Sequence, residues 1–257
     1  MKKCKKVLAL VLVSVLIVSL SSVLTSCKKV QSGTSQGELI MATNAQFPPY
    51  ESSKGGKIVG LDVDMAQAIA DKLGLKLVIH DMEFDSIIPT INSGKADIGV
   101  AGMTVTADRK KNVDFSDTYT TSKQVIIVNG SNSSVKSTTD LPKKKIGVQL
   151  GTTGDIYASD YEKQGSTIQR YNAGLDAAVA LTQNKIDCEI IDEQPAKVYV
   201  QNYPQLKILS QPFVEESYAI CLKKGNTDLL NKINNSIKEL KADGTLQKII
   251  DKYISAK

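Results

Sequence analysis

Apolar residues along the chain fall into two alternating patterns, short runs of strand length and stripes of helical spacing. Glu38 to Thr43 is a run short enough for a buried strand. Asn44 to Glu51 carries Pro48 and Pro49, which remove backbone donors, so it predicts a rigid loop with two aromatics. Gly55-Gly56 marks a hairpin tip over Lys54–Lys57. Between Asp62 and Leu73, Val63, Ala66, Ile69, Ala70 and Leu73 share one helical face, and Gly74 supplies the stop. Leu75–Ile79 predicts a strand, Ser86–Ser93 a helix ended by Gly94, and Asp97–Ala101 another strand. Strand and helix in alternation predict a parallel sheet covered by helices.

The pattern then restarts. Gln124–Val128 is a β-rich run and residues 129–137 are a polar loop. Lys145–Val148, Thr167–Tyr171 and Asp187–Ile191 read as strands, separated by helices over Asp155–Lys163 and Leu175–Gln183. Asp228–Tyr253 is helical and broken in two by Gly244. Two α/β lobes of similar build follow, which suits a chain of 257 residues.

The N-terminus fits neither pattern. Four lysines at positions 2, 3, 5 and 6 precede an apolar run from Val7 to Leu20, the layout of a secretory leader. Leu24-Thr25-Ser26-Cys27 resembles a bacterial lipobox. That resemblance implies a signal peptide over residues 1–26, cleavage before Cys27, and acylation of Cys27 as a membrane anchor. Residues 27–37 then form a polar, flexible tether. The leader also changes the charge. The whole chain carries +5, but taking the four leader lysines from 32 basic residues leaves 28 against 27 acidic ones. Such a balance argues against a nucleic-acid partner.

Candidate chemistry is sparse. The single histidine, His80, excludes a three-histidine zinc site, and the cysteines form no C-x-x-C pair. No Walker A or G-x-G-x-x-G loop is present, so no metal or cofactor is expected. Cys188 and Cys221 either pair or sit as two small buried side chains. In open parallel sheets, ligands bind beyond the carboxyl ends of the strands. This selects the loops Asn44–Tyr50, Gly102–Arg109, Gly151–Asp155 and Asp192–Ala196. Arg109 has the planar fork that matches a carboxylate, or else belongs to a solvated run with Lys110 and Lys111. Asp192, directly after an apolar strand, can accept from an ammonium group or cap the next helix. Phe47, Tyr50 and Phe84 can supply apolar walls or core packing. A cationic and an anionic group in opposite lobes would clamp a free amino acid.

Seven markers in order carry a resemblance. They are Phe47-Pro48-Pro49-Tyr50-Glu51, Gly60-Leu61-Asp62-Val63-Asp64, Phe84-Asp85-Ser86-Ile87-Ile88-Pro89, Gly102-Met103-Thr104-Val105-Thr106 through Arg109, Asp114-Phe115-Ser116-Asp117, Gly151-Thr152-Thr153-Gly154 and Asp243-Gly244-Thr245. From about Glu38 to Tyr253 the chain resembles the bacterial extracellular solute-binding proteins of family 3, the polar-amino-acid-binding components of ABC importers. The resemblance implies an α/β, two-lobe, periplasmic-binding-protein-like fold of type II, each lobe a mainly parallel sheet flanked by helices. Residues 38–119 with 217–257 would form one lobe and 120–216 the other, crossing twice near Thr118–Lys123 and Pro212–Tyr218.

It also implies roles. Arg109, helped by Gly102, Thr104 and Thr153, would take the ligand α-carboxylate, and Asp192 the α-ammonium. Phe47 and Phe84 would sandwich the side chain, and Asn44, Tyr50, Ala101, Met103, Gln149 and Thr152 would complete the site. The implied protein is a monomer that is not an enzyme. It closes on its ligand and delivers it to a permease driven by an ATPase. Some members for basic ligands carry Asp where this chain has Asn44, while Gly-Thr-Thr-Gly-Asp with Phe-Pro-Pro-Tyr-Glu leans toward arginine-type binders. Arginine or lysine is therefore expected ahead of glutamine or cystine. The rivals are a dehydratase-like enzyme, with Glu193 or Glu215 as acid, and a sensor lobe.

Overall fold

The computed structural model describes residues 37–130 and 133–254. The leader, Cys27, almost all of the tether and part of the 129–137 loop lie outside the described residues.

The chain opens with β1 (Glu38–Thr43), followed by β2 (Gln46–Phe47), β3 (Glu51–Lys54) and β4 (Lys57–Val59). The expected rigid loop is thus partly strand, because Phe47 pairs with Glu51 across the two prolines in a small antiparallel sheet, β2-β3-β4. Then come α1 (Leu61–Leu73), β5 (Lys76–Asp81), α2 (Ile87–Asn92) and β6 (Ile98–Gly99). Next are α3 (Arg109–Asn112), β7 (Val113–Phe115) and the long β8 (Thr120–Asn129). The second half runs β9 (Lys145–Gln149), α4 (Thr153–Ser159), β10 (Thr167–Tyr171), α5 (Gly174–Thr182), β11 (Cys188–Asp192) and α6 (Glu193–Asn202). The chain ends with β12 (Leu206–Ile208), β13 (Val214–Tyr218), β14 (Cys221–Lys223), α7 (Thr227–Ala242) and α8 (Thr245–Tyr253).

Two larger sheets result. One has the order β5-β1-β6-β14-β7 and the other β10-β9-β11-β8-β12. Strands β5, β1 and β6 are parallel, as are β10, β9 and β11, while β14 and β8 run antiparallel to their neighbours. The antiparallel strands are those that lead away from or back to the crossing between lobes. There β13 lies against the start of β8, from Val214 opposite Gln124 to Tyr218 opposite Thr120.

The period of two along β8 explains its burial on both faces. Val125 and Ile127 join the core under α5 and α6, whereas Ile126 and Val128 join the opposite core with Ile146, Val148 and Ile190. Cys188 and Cys221 are free, buried and in different sheets, so they act as small apolar side chains. His80 is exposed on β5.

Gly60 ties the small sheet to α1. Its φ of 149° leaves it without a Cβ penalty, and a Cβ there would stand 2.0 Å from the Tyr50 carbonyl oxygen. That close approach lets Asp62 N donate to Tyr50 O at 3.0 Å and Leu61 N to Pro49 O at 3.1 Å. Gly60→Ala is expected to cost at least about 2 kcal/mol, a fall in Tm of roughly 4–8 °C for a chain of this size. A thermal melt within a degree of wild type would contradict this account.

Candidate amino-acid site

Eleven side chains or backbones line one narrow cavity: Asn44, Phe47, Phe84, Ala101, Gly102, Thr104, Arg109, Gln149, Thr152, Thr153 and Asp192. The lining comes from both larger sheets. Asn44, Ala101 and Gly102 follow strands of the first, and Gln149, Thr152 and Asp192 end or follow strands of the second. Carboxyl ends of parallel strands therefore meet here, as the topology required.

Arg109 is 7% exposed, which removes the solvated-run alternative. Its Nη1 donates to Thr104 O at 2.8 Å and its Nη2 to Gly151 O at 3.0 Å, the latter reaching across to the other lobe. Three of its five N–H groups remain for a ligand, and it pairs with no carboxylate among the described residues. The Phe84 ring lies 5.3 Å from the guanidinium carbon, a cation–π contact that orients the fork. Burial lowers the Arg109 pKa, and the nearby carboxylates of Glu216 and Asp192 oppose that shift.

Asp192 precedes α6 yet makes no side-chain cap, which removes the capping reading. It is 5% exposed. One oxygen accepts from Tyr218 Oη, and the other from Gln124 Nε2 at 2.7 Å. Burial, and after it Glu216, pushes its pKa up to about 7, against the pull of these hydrogen bonds.

The remaining walls are set by packing. Phe47 stacks on Tyr50 with centroids 5.7 Å apart, and Tyr50 meets Tyr218 edge-on at 5.1 Å. Gly102 has a φ of 51°, and a Cβ there would lie 2.8 Å from the Phe47 ring. Its N–H donates to Asp62 Oδ2 at 2.7 Å. Asp62 also accepts from Tyr119, and burial raises its pKa to about 6. At the far end Gln149 Nε2 donates to Asn44 Oδ1 at 2.9 Å and to Asn172 O at 3.1 Å, while Asn44 Nδ2 donates to Met82 O. The Asn44 amide is thus committed to the protein, partly across the lobes. Thr152 caps α4, accepting from Asp155 N at 3.3 Å.

Two expected site residues stand elsewhere. Tyr50 is fully buried behind Phe47, because the Gly60 approach draws its backbone onto α1. Met103 is 1% exposed and turns into the core with Ile87 and Ile91. Glu193 and Glu215 line an adjoining cavity and not this one, and both are ion-paired, with Lys197 at 3.1 Å and Lys123 at 3.5 Å. Three residues were not anticipated: Gln124, Glu216 and Tyr218. Their signal was a polar residue heading the apolar run of β8 and a Glu-x-Tyr alternation on β13, which puts 216 and 218 on one face. Among the described residues no His, Cys, Asp or Glu cluster could hold a metal.

The family model for bacterial extracellular solute-binding proteins, family 3, matches residues 39–256. The chain belongs to this family. It is 32% identical over 237 residues to the arginine-binding extracellular protein ArtP of Bacillus subtilis (strain 168), covering 90% of this chain and 92% of that one. The L-cystine-binding protein TcyJ of Escherichia coli (strain K12) is 30% identical over 224 residues, 86% of this chain and 84% of that one. Among solved structures, an ancestral arginine-binding protein bound to arginine superposes with a TM-score of 0.82 at 42% identity, covering 85% of this chain and 99% of that one. An ancestral amino-acid-binding protein described as a precursor of cyclohexadienyl dehydratase gives 0.80 at 34% identity, over 86% and 96%. The type II two-lobe fold follows, and with it an amino-acid-binding component of the ABC-importer class located outside the cytoplasm.

Proposed function

We propose that this family member captures a free basic amino acid, arginine or lysine ahead of glutamine or cystine, and hands it to an ABC permease. The observation that carries the reading is the pair Arg109 and Asp192. They are opposite in charge and buried, Arg109 opening α3 and Asp192 ending β11, and both line one cavity. A zwitterion of amino-acid size matches both ends, with its carboxylate on the Arg109 fork and its ammonium on Asp192. Phe47 and Phe84 flank its side chain. Residues 38–119 with 217–257 move as one lobe against 120–216 about the paired β8 and β13, and the ligand favours the closed arrangement. Lipid on Cys27 and the tether hold the monomer near its permease. An enzymatic reading gains no support from geometry, since Glu193 and Glu215 face the adjoining cavity and are held by lysines.

The test is thermal unfolding of Lys28–Lys257 against the common amino acids and cystine. The described residues belong to one compact unit, so the truncated chain is expected to fold. A ligand specific to the folded state adds about 2.7 kcal/mol at a hundredfold excess over Kd. Arginine or lysine is expected to raise Tm most. A protein freed of carried-over ligand that no amino acid stabilises would overturn the proposal.

A further inference from the structure

Glu216 lies on β13, on the same face as Tyr218, and is only 6% exposed. Its Oε2 accepts from Thr104 Oγ1 at 2.9 Å and from Gln124 Nε2 at 3.1 Å, while its Oε1 is buried with no hydrogen-bond partner among the described residues. The same Gln124 nitrogen donates to Asp192 Oδ2 at 2.7 Å. One amide therefore gathers two buried carboxylates. Thr104 links Glu216 to the amino-acid cavity, because it lines that cavity as well as the adjoining one.

The charges around the cavity do not cancel. Arg109 contributes one positive charge, and Asp192, Glu216 and, behind Gly102, Asp62 each contribute a carboxylate. The other charged groups of the adjoining cavity are already matched, Glu193 by Lys197 and Glu215 by Lys123. A zwitterion with a neutral side chain brings no net charge and leaves the negative excess uncompensated in a buried place. A ligand with a cationic side chain offsets part of it. An uncompensated buried charge is costly, so the site discriminates by net charge.

We infer that Glu216 determines specificity in this cleft, favouring a cationic over a neutral amino acid through its field rather than by contact. The inference rests on the amino-acid-binding reading above. It also gives Asn44 a context: with no carboxylate at the side-chain end of the site, the extra negative charge comes from β13, beside Asp192. The elevated Asp192 pKa reflects the same surplus, since Glu216 is its second cause after burial.

The experiment compares arginine with citrulline, a nearly isosteric pair differing by one charge, by titration calorimetry on the mature protein. Wild type is expected to bind arginine at least about tenfold more tightly than citrulline, the size of effect one nearby charge has at an effective dielectric near 20. In Glu216→Gln, which keeps an acceptor for Thr104 and Gln124, that ratio is expected to fall about tenfold, chiefly through weaker arginine binding. Glu216→Asp retains the charge and should retain the ratio even where both affinities drop. Equal weakening of both ligands in Glu216→Gln marks a structural role and overturns the inference, as do two unchanged affinities. Wild type that prefers citrulline, or binds only neutral amino acids, overturns it without any variant and leaves the binding reading standing. Wild type that binds no amino acid overturns both.

Discussion

Arg109→Ala is expected to weaken amino-acid binding by roughly 2–5 kcal/mol, about thirtyfold to several thousandfold in Kd. The size follows from burial. The ligand carboxylate would enter a closed cleft whose one free guanidinium fork had been removed, and a desolvated carboxylate without its partner bears most of the cost. Phe84 would lose its cation, and the carbonyls of Thr104 and Gly151 would lose their donors. Some loss of stability is therefore expected even without ligand, and affinity should be measured well below the melting range. Arg109→Lys restores the charge but not the fork, so it should recover only part of the affinity. Calorimetry showing Arg109→Ala within threefold of wild type would remove Arg109 from the binding site.

Affinity should also fall steeply as the medium becomes acidic. Asp192 in the ligand-free protein has its pKa pushed up to about 7, first by burial and then by Glu216. A ligand ammonium stabilises the ionised carboxylate, so the pKa in the complex lies lower. Above pH 7 the carboxylate is ready and affinity is full. Below 7 a proton must leave before the ammonium can bind, and Kd should rise about tenfold per pH unit until the bound-state pKa is reached. Titrations at pH 8, 7, 6 and 5 in buffers of different ionisation enthalpy would show both the trend and proton release on binding. Tyr218→Phe removes a hydrogen bond that favours the ionised form, so its profile should move to higher pH. A flat profile from pH 8 to 5 would exclude Asp192 as the ammonium partner.

The parts of this protein that were legible in the sequence are those governed by local periodicity. The 3.6-residue stripe of α1 and its Gly74 stop, the strand β1, and the break at Gly244 between α7 and α8 all stand where the pattern placed them. Each depends on neighbours a few residues away. Residues from the loops beyond strand ends likewise line the cavity, because a parallel sheet sends its carboxyl ends to one edge. Arg109 and Asp192 could be named from those loops, although their alternatives could be decided only by burial and by the partner each side chain takes.

Tyr50 and Met103 show where such reasoning stops. Both sit in the right loops, and both turn inward because of a contact made far along the chain, Tyr50 through Gly60 and α1, Met103 through the core around Ile87 and Ile91. Glu216 is the converse case. Alternation with Tyr218 puts it on one face of β13, but only the antiparallel pairing of β13 with β8 decides that this face is buried next to Gln124 and Thr104 while Glu215 goes to solvent beside Lys123. The sequence by itself determined the two-lobe α/β plan and the loops that line the cavity, since short-range spacing encodes them. Which side chains face the cavity, and the net charge they place there, were decided only by the tertiary structure, because burial and charge compensation depend on residues brought together from distant parts of the chain.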